Sequence, residues 1–194
     1  EKLMPKCGHI IVHHWAHPGE DCDPWREHET DWHRYWKSLV PSNCTEVTIE
    51  RNGAIHRADI VTKKGIVIEL QHSSISVDSI QDREAFYGHM MWLFDLRECR
   101  PEPKYEEMND RKYLINAKEI RLRLRPKDNH HTFRWCHARK SIAYAKAKVY
   151  FDVGGNEIFG LRKMYIEKRC GGWGLLKSKE IFESWLKKQC ISGD

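Results

Sequence analysis

Apolar and polar positions alternate most regularly on either side of one short basic turn. From His56 to Gln71 two apolar runs flank Lys63-Lys64-Gly65. Those three residues suit a hairpin loop made of a type I turn and a glycine in the left-handed region. Such a loop sets Thr62 against Ile66, Ile60 against Ile68, and Asp59 directly against Glu69. Strand side chains alternate, so Glu69 and Gln71 share one face with Asp59, while Ala58, Ile60, Ile68 and Leu70 fill the other. Upstream, Glu46 to Glu50 alternates as a strand and Arg51-Asn52-Gly53 turns it. The three strands form an antiparallel meander.

A helix precedes the meander. Asp23-Pro24 supplies an N-cap and a first helical position, Trp25, Trp32, Trp36 and Leu39 repeat at helical spacing, and Val40-Pro41 ends it. Glu29, His33 and Lys37 fall at i, i+4, i+8 on an adjoining face. They are either site residues or a ladder of solvated pairs. After the meander, residues 76–89 read as a helix capped by Ser76, with Arg83 one turn before Tyr87. Two roles stay open for Arg83: reaching a phosphate, or pairing with Asp82 or Glu84. Met90-Met91-Trp92-Leu93-Phe94 is a buried strand, parallel to its predecessor across a helical crossover. Residues 98–112 read as a polar loop or linker. Beyond it Ile120 to Arg125 alternates, so Arg121, Arg123 and Arg125 project from one strand face, to grip a phosphate backbone or to protect a solvated edge. Lys127 to Lys140 mixes bases with aromatics, as single-stranded contacts do. Val149–Val153 and Glu157–Tyr165 form a hairpin, and Ser178 caps a last helix with Ile181, Phe182, Trp185 and Leu186 on one face. These later elements are expected to cover the sheet. The expected class is α/β, an α+β mixed sheet.

Two carboxylates set roughly 4.5–5.5 Å apart across strands repel unless something neutralises them. A hard cation such as Mg²⁺ or Mn²⁺ does so while keeping several waters. The plain alternative is an edge hairpin with solvated acids. A second concentration of ligand types lies at residues 1–23, where Cys7, His9, His13, His14, His17 and Cys22 crowd into sixteen positions. Cys7, His14, His17 and Cys22 have the donor types of a tetrahedral zinc site, although the spacing fits no standard finger. The alternative is histidines packing a loop on the core.

At 194 residues the chain is one domain or one with an appendage. The net charge of +5 announces no polyanion, but residues 117–148 carry ten Lys/Arg against two Asp/Glu, a local +8. No apolar run is long enough to span a membrane and no signal-peptide pattern opens the chain, which begins at Glu1 as a trimmed chain would. Seven cysteines spread along the chain point to a reducing, cytoplasmic setting.

Asp59, then Glu69-Leu70-Gln71, resembles the D…(D/E)-x-K signature of restriction-endonuclease-like nucleases with Gln in the Lys place. Within them, His56-Arg57-Ala58-Asp59, Ile68-Glu69-Leu70-Gln71-His72-Ser73, Ile75-Ser76 and Arg83-Glu84-Ala85-Phe86-Tyr87 resemble competence-protein CoiA-like nucleases over roughly residues 13–97. Glu29-x-x-Trp32-His33 and His14-Trp15-Ala16-His17 resemble further pieces; an earlier knuckle cysteine would fall at Met4. The resemblance implies an αβββαβ nuclease core over 24–97, behind a His/Cys-rich segment (1–23), with a linker at 98–112 and a basic α+β extension at 113–194. It implies a Mg²⁺- or Mn²⁺-dependent nuclease acting on DNA, with RNA also open. Asp59, Glu69 and the Leu70 carbonyl hold the metal, Gln71 orients water, and Glu29 and His33 assist. Lys37, Arg57, Arg83, Tyr87, Arg121, Arg123 and Arg125 are the expected nucleic-acid contacts. A homodimer or a partner protein from genome defence, recombination or DNA uptake fits. The rivals are an inactive nucleic-acid-binding module and a zinc-centred adaptor.

Overall fold

Thr30, not Asp23, opens the first helix. The computed structural model describes residues 4–6, 14–16, 25, 27–167 and 170–191. In chain order the elements are β1 (Met4–Lys6), β2 (His14–Ala16), α1 (Asp31–Ser38), β3 (Thr45–Arg51), β4 (Ala54–Val61), β5 (Val67–Gln71), α2 (Val77–Tyr87) and β6 (Met90–Asp95). They continue with β7 (Tyr105–Met108), β8 (Arg111–Leu114), β9 (Leu122–Lys127), β10 (His130–Trp135), β11 (Lys148–Asp152), β12 (Glu157–Tyr165), β13 (Gly171–Ser178) and α3 (Lys179–Ile191). No helix among the described residues is long and apolar enough to cross a membrane.

The late start of α1 has a local cause. The Thr30 hydroxyl accepts the His33 N–H, and His33 Nδ1 accepts the Thr30 N–H, a capping box with imidazole in the usual carboxylate place. Residues 27–30 therefore precede the helix, and Glu29 is not on it. Trp32 and Trp36 still form the buried stripe, as their spacing requires.

Nine strands form one mixed sheet in the order β3-β4-β5-β6-β11-β12-β13-β10-β9. The meander β3-β4-β5 is antiparallel, and its turns are those the residues dictate. Asn52 and Gly53 both take positive φ, the two-residue hairpin geometry, and Gly65 at φ 71 closes the Thr62–Ile66 loop. The register pairs Ile60 with Ile68, as expected. α2, capped by the Ser76 hydroxyl on the Ser79 N–H, crosses over to β6, which pairs parallel with β5. The element order from α1 to β6 is thus αβββαβ. Buried side chains alternate across the sheet into two layers. Val67, Met90, Trp92 and Phe94 face α2, while Ile68, Leu70, Met91 and Leu93 face α1 and α3. One expectation fails here: Ala58 belongs to the α2 layer, not to that of Ile60 and Leu70. The alternation slips at Asp59, opposite Glu46, which itself sits at φ 52.

The residues after β6 lengthen the sheet rather than simply cover it. β11 adds parallel to β6, and β12, β13, β10 and β9 follow antiparallel, with α3 over one face. Within the expected linker, Tyr105–Leu114 closes a separate hairpin through Asn109 and Asp110, both at positive φ. β9 begins at Leu122, so Arg121 precedes it. On α3 the buried stripe is Phe182, Leu186 and Cys190, and Ile181 is exposed. β13 escaped the periodicity because its glycines hide it. A Cβ on Gly174 would lie 2.3 Å from the Gly160 carbonyl oxygen and 2.7 Å from the Phe159 ring, so the aromatic packs on bare backbone. Gly174→Ala should therefore lose about 1–3 kcal/mol of stability, read as a lower denaturant midpoint; an unchanged midpoint would contradict this packing.

Candidate active site

The β4–β5 ladder ends at Asp59 and Glu69, and side chains take over from main chain. Asp59 Oδ2 accepts the Leu70 N–H at 2.9 Å, and Glu69 Oε1 accepts the Asp59 N–H at 3.4 Å. The two carboxylates thus clasp each other's strands. Glu69 is 3% exposed and receives Arg83 Nη1 from α2 at 2.9 Å. Arg83 also donates to the Trp25 carbonyl at 2.7 Å and lies over the Trp25 and Trp92 rings. Asp59 meets α1 instead: its Oδ1 is 3.0 Å from Lys37 Nζ. Lys37 is bonded to Glu46 as well, and lies 3.3 Å from Glu29 Oε1.

Burial, and then the charge of Asp59, push the Glu69 carboxyl up to about 8, with Arg83 opposing. Burial raises Asp59 too, against Lys37 and the Leu70 N–H. The two titrate as a pair. Burial works against the Lys37 ammonium, but Asp59 and then Glu46 outweigh it and raise its pKa.

Next to the pair, Gln71 is buried; its Nε2 reaches Ser73, and among the described residues its Oε1 has no hydrogen-bond partner. The Leu70 carbonyl lies 3.2 Å from His33 Nε2. The capping box makes Nδ1 an acceptor, so the ring proton sits on Nε2 and is donated there. His33 Nε2 is also 3.3 Å from Glu27 Oε2. Glu27 accepts the main-chain N–H groups of His72 and Ser73, fixing the chain as it leaves β5. Burial would raise the Glu27 carboxyl, but bonds from His33, Ser73 and those N–H groups hold it down at about 2. Beyond them His72 Nδ1 meets Asp95 Oδ2 at 3.0 Å, and Arg97 grips the same carboxylate. Burial would raise Asp95, and Arg97 with His72 outweigh it and lower it.

Asp59, Glu69, Gln71, His33 and Leu70 are therefore brought together. Glu29 is 46% exposed and meets the cluster through Lys37. Tyr87 is 1% exposed, against Trp25 and Phe86, and Arg83 is turned onto Glu69 rather than outward. Arg57 is exposed, 3.8 Å from Glu46. Arg121 is half-buried, and Arg123 and Arg125 are exposed on β9, remote in the strand order. Cys7, His17 and Cys22 lie outside the described residues, and His14 is described only as a backbone position in β2. Glu27 was missed because it sits in an irregular segment with no periodicity. Lys37 was read as a phosphate contact, whereas its ammonium stands inside the acidic cluster.

Among the described residues no three His, Cys, Asp or Glu side chains form a ready cation cage. The donor set is two carboxylates and the free Gln71 oxygen, which suits a divalent ion that retains waters. No family model, no curated protein and no solved structure matches the chain.

Two measurements probe this electrostatic arrangement. Above about pH 8, Arg83→Met leaves an ionised Glu69 buried without its cation and should cost about 3–5 kcal/mol; Glu69→Gln in the same chain should recover part of it. Glu69 carries a folded pKa raised above its unfolded value. The folded state therefore binds the extra proton, and stability falls as pH rises from about 4.5 towards about 8. In chelator, wild type minus Glu69→Gln unfolding free energies should decline across that window. A flat difference would show Glu69 ionised throughout.

Proposed function

We propose that the chain is a metal-dependent phosphodiesterase acting on DNA, a CoiA-like member of the restriction-endonuclease-like nucleases. One observation carries this reading: a buried Glu69, pushed up to about 8, clasped to a half-buried Asp59 beside a Gln71 oxygen that lacks a partner among the described residues. Burial disfavours the charge on both acids even with Arg83 and Lys37 beside them, and a bound cation would offset that penalty. The αβββαβ order, with the acids where β4 and β5 part, supports it further.

Asp59 and Glu69 would hold Mg²⁺ or Mn²⁺ with Gln71 Oε1 at the rim. When bound, the ion polarises the scissile phosphate and lowers the pKa of water at the site. The chain's own residues do the rest. Gln71 Oε1 accepts a hydrogen bond from the attacking water and orients it, while Ser73 holds the amide. Arg83 locks the Glu69 rotamer from behind. His33 occupies the Leu70 carbonyl, which supports a second role for that carbonyl: fixing β5 rather than holding metal. Lys37 takes the cationic part that the signature gives to Lys, because its ammonium already borders Asp59 and would face the phosphate oxygens. Glu29 positions Lys37.

A second reading is favoured by the same cations. Arg83 and Lys37 already neutralise the acids in part, as a non-catalytic nucleic-acid-binding module would need. Plasmid cleavage separates the two. Wild type should cut with Mg²⁺ or Mn²⁺ and not with EDTA. Glu69→Ala should abolish cutting, Lys37→Met should lower it by at least about a hundredfold, and Glu29→Gln by far less. Retained DNA binding with no cutting by wild type under any metal would establish the non-catalytic module.

A further inference from the structure

The outer strands β12, β13, β10 and β9 bury one face and leave the other open. Inward, Leu122, Leu124, Phe133, Trp135 and Phe159 enter the α2-side core. Outward positions follow from the register. Arg125 pairs with Thr132, Thr132 with Trp173, and Trp173 with Lys163, so these four stand in one row across four strands. Arg123, Arg134 and Tyr165 share the next row through Gly171, and Lys127 pairs with His130 on the other side. Rows on one face are two residues apart, about 6.6 Å.

This face has a definite chemistry. Five cations, Arg123, Arg125, Lys127, Arg134 and Lys163, are exposed, and none of the outward positions in these rows is a carboxylate. The nearest acid in sequence is Asp128, in the β9–β10 turn. Arg123 also donates to the Ala117 carbonyl, which holds its guanidinium. Between the cations lie flat rings. Trp173 is 37% exposed and Tyr165 48%; His130 packs edge-on to Trp173, and Lys163 covers Tyr165 at 5.3 Å. A cavity of about 580 Å³ opens between them, lined by Lys127, His130, Thr132, Tyr165, Trp173 and Leu175.

We infer that this face is a binding platform for single-stranded DNA, separate from the acidic site. Charge complementarity selects a polyanion, and the alternation of rings with cations selects one whose bases are free to stack. A duplex hides its base faces and offers such rings nothing. The sheet supplies rigidity: each ring rises from a paired strand whose other face is core, so little ordering is left to do on binding. Strand order puts the β10–β13 pair four to five strands from β5, on the order of 20 Å at ordinary strand spacing. The platform therefore holds the polymer at a distance from the point of cleavage. The choice of DNA rests on the proposed nuclease reading; the stacking surface does not.

The test is binding in EDTA, where cleavage plays no part. Fluorescence anisotropy with the full chain would compare a labelled single-stranded oligodeoxynucleotide, its duplex, the RNA of the same sequence, and a base-free deoxyribose-phosphate polymer. Single-stranded DNA should bind tightest. Trp173→Ala should weaken it roughly 5- to 150-fold, with Trp173→Phe recovering most of the loss. Arg125→Ala should weaken it and flatten the log-log salt dependence by roughly 0.7. No binding, preference for duplex or RNA, equal affinity for the base-free polymer, or unchanged affinity in both variants would overturn the platform. Platform binding without metal-dependent cutting would refute the nuclease reading alone. Cutting by wild type with normal binding in the variants would refute the platform alone.

Discussion

The reciprocal clasp of Asp59 and Glu69 is the constraint around which the first half of the chain is arranged. Each carboxylate replaces a ladder bond of the opposite strand, so the strands cannot close there without burying two like charges. Everything nearby compensates. Arg83 comes from α2 and Lys37 from α1, one helix from each face, so both helices are tied to the same pair of acids. The imidazole of His33 fastens α1 to the strand end, and Glu27 fastens the segment before α1 to the segment after β5. The capping box at Thr30 is thus more than a helix start, since it sets which nitrogen of His33 faces the sheet.

Much of this was legible. The meander, its turns, the Ile60–Ile68 register and the parallel β6 follow from alternation, an Asn-Gly pair, one glycine and a continuous apolar run. What escaped did so for physical reasons. Alternation assumes a regular strand, and Ala58 changed sides because the clasp and the left-handed Glu46 break that regularity. The α1 boundary was misread because a Thr-x-x-His box mimics a Thr-x-x-Glu box only once the ring is positioned. β13 was invisible because glycines packed beneath Phe133 and Phe159 carry no hydrophobic signal of their own. The two roles left open for Arg83 missed its partner, because helix α2 turns it towards the sheet and onto Glu69.

The second half of the chain depends on a different pair of charges. Asp152, fully buried beside Asp95 in the parallel register, receives the Trp32 indole N–H at 3.0 Å and Lys179 at 3.3 Å. α1 is thereby bonded to residues more than a hundred positions later, and Lys179 in turn lies over Tyr35 and Trp36. The acidic site and the outer strands are parts of one sheet, coupled through β6 and β11.

That coupling bears on how the chain reaches its native state during synthesis. β6 is buried along its whole length and needs β11 on its free edge, yet more than fifty residues separate the two. Until β11 is made, a row of unpaired backbone groups beside Met-Met-Trp-Leu-Phe stands open, a template for pairing with another nascent chain. Parallel pairing across so long a loop is slow. Residues 96–147 must therefore be synthesised before the open edge of β6 can be covered.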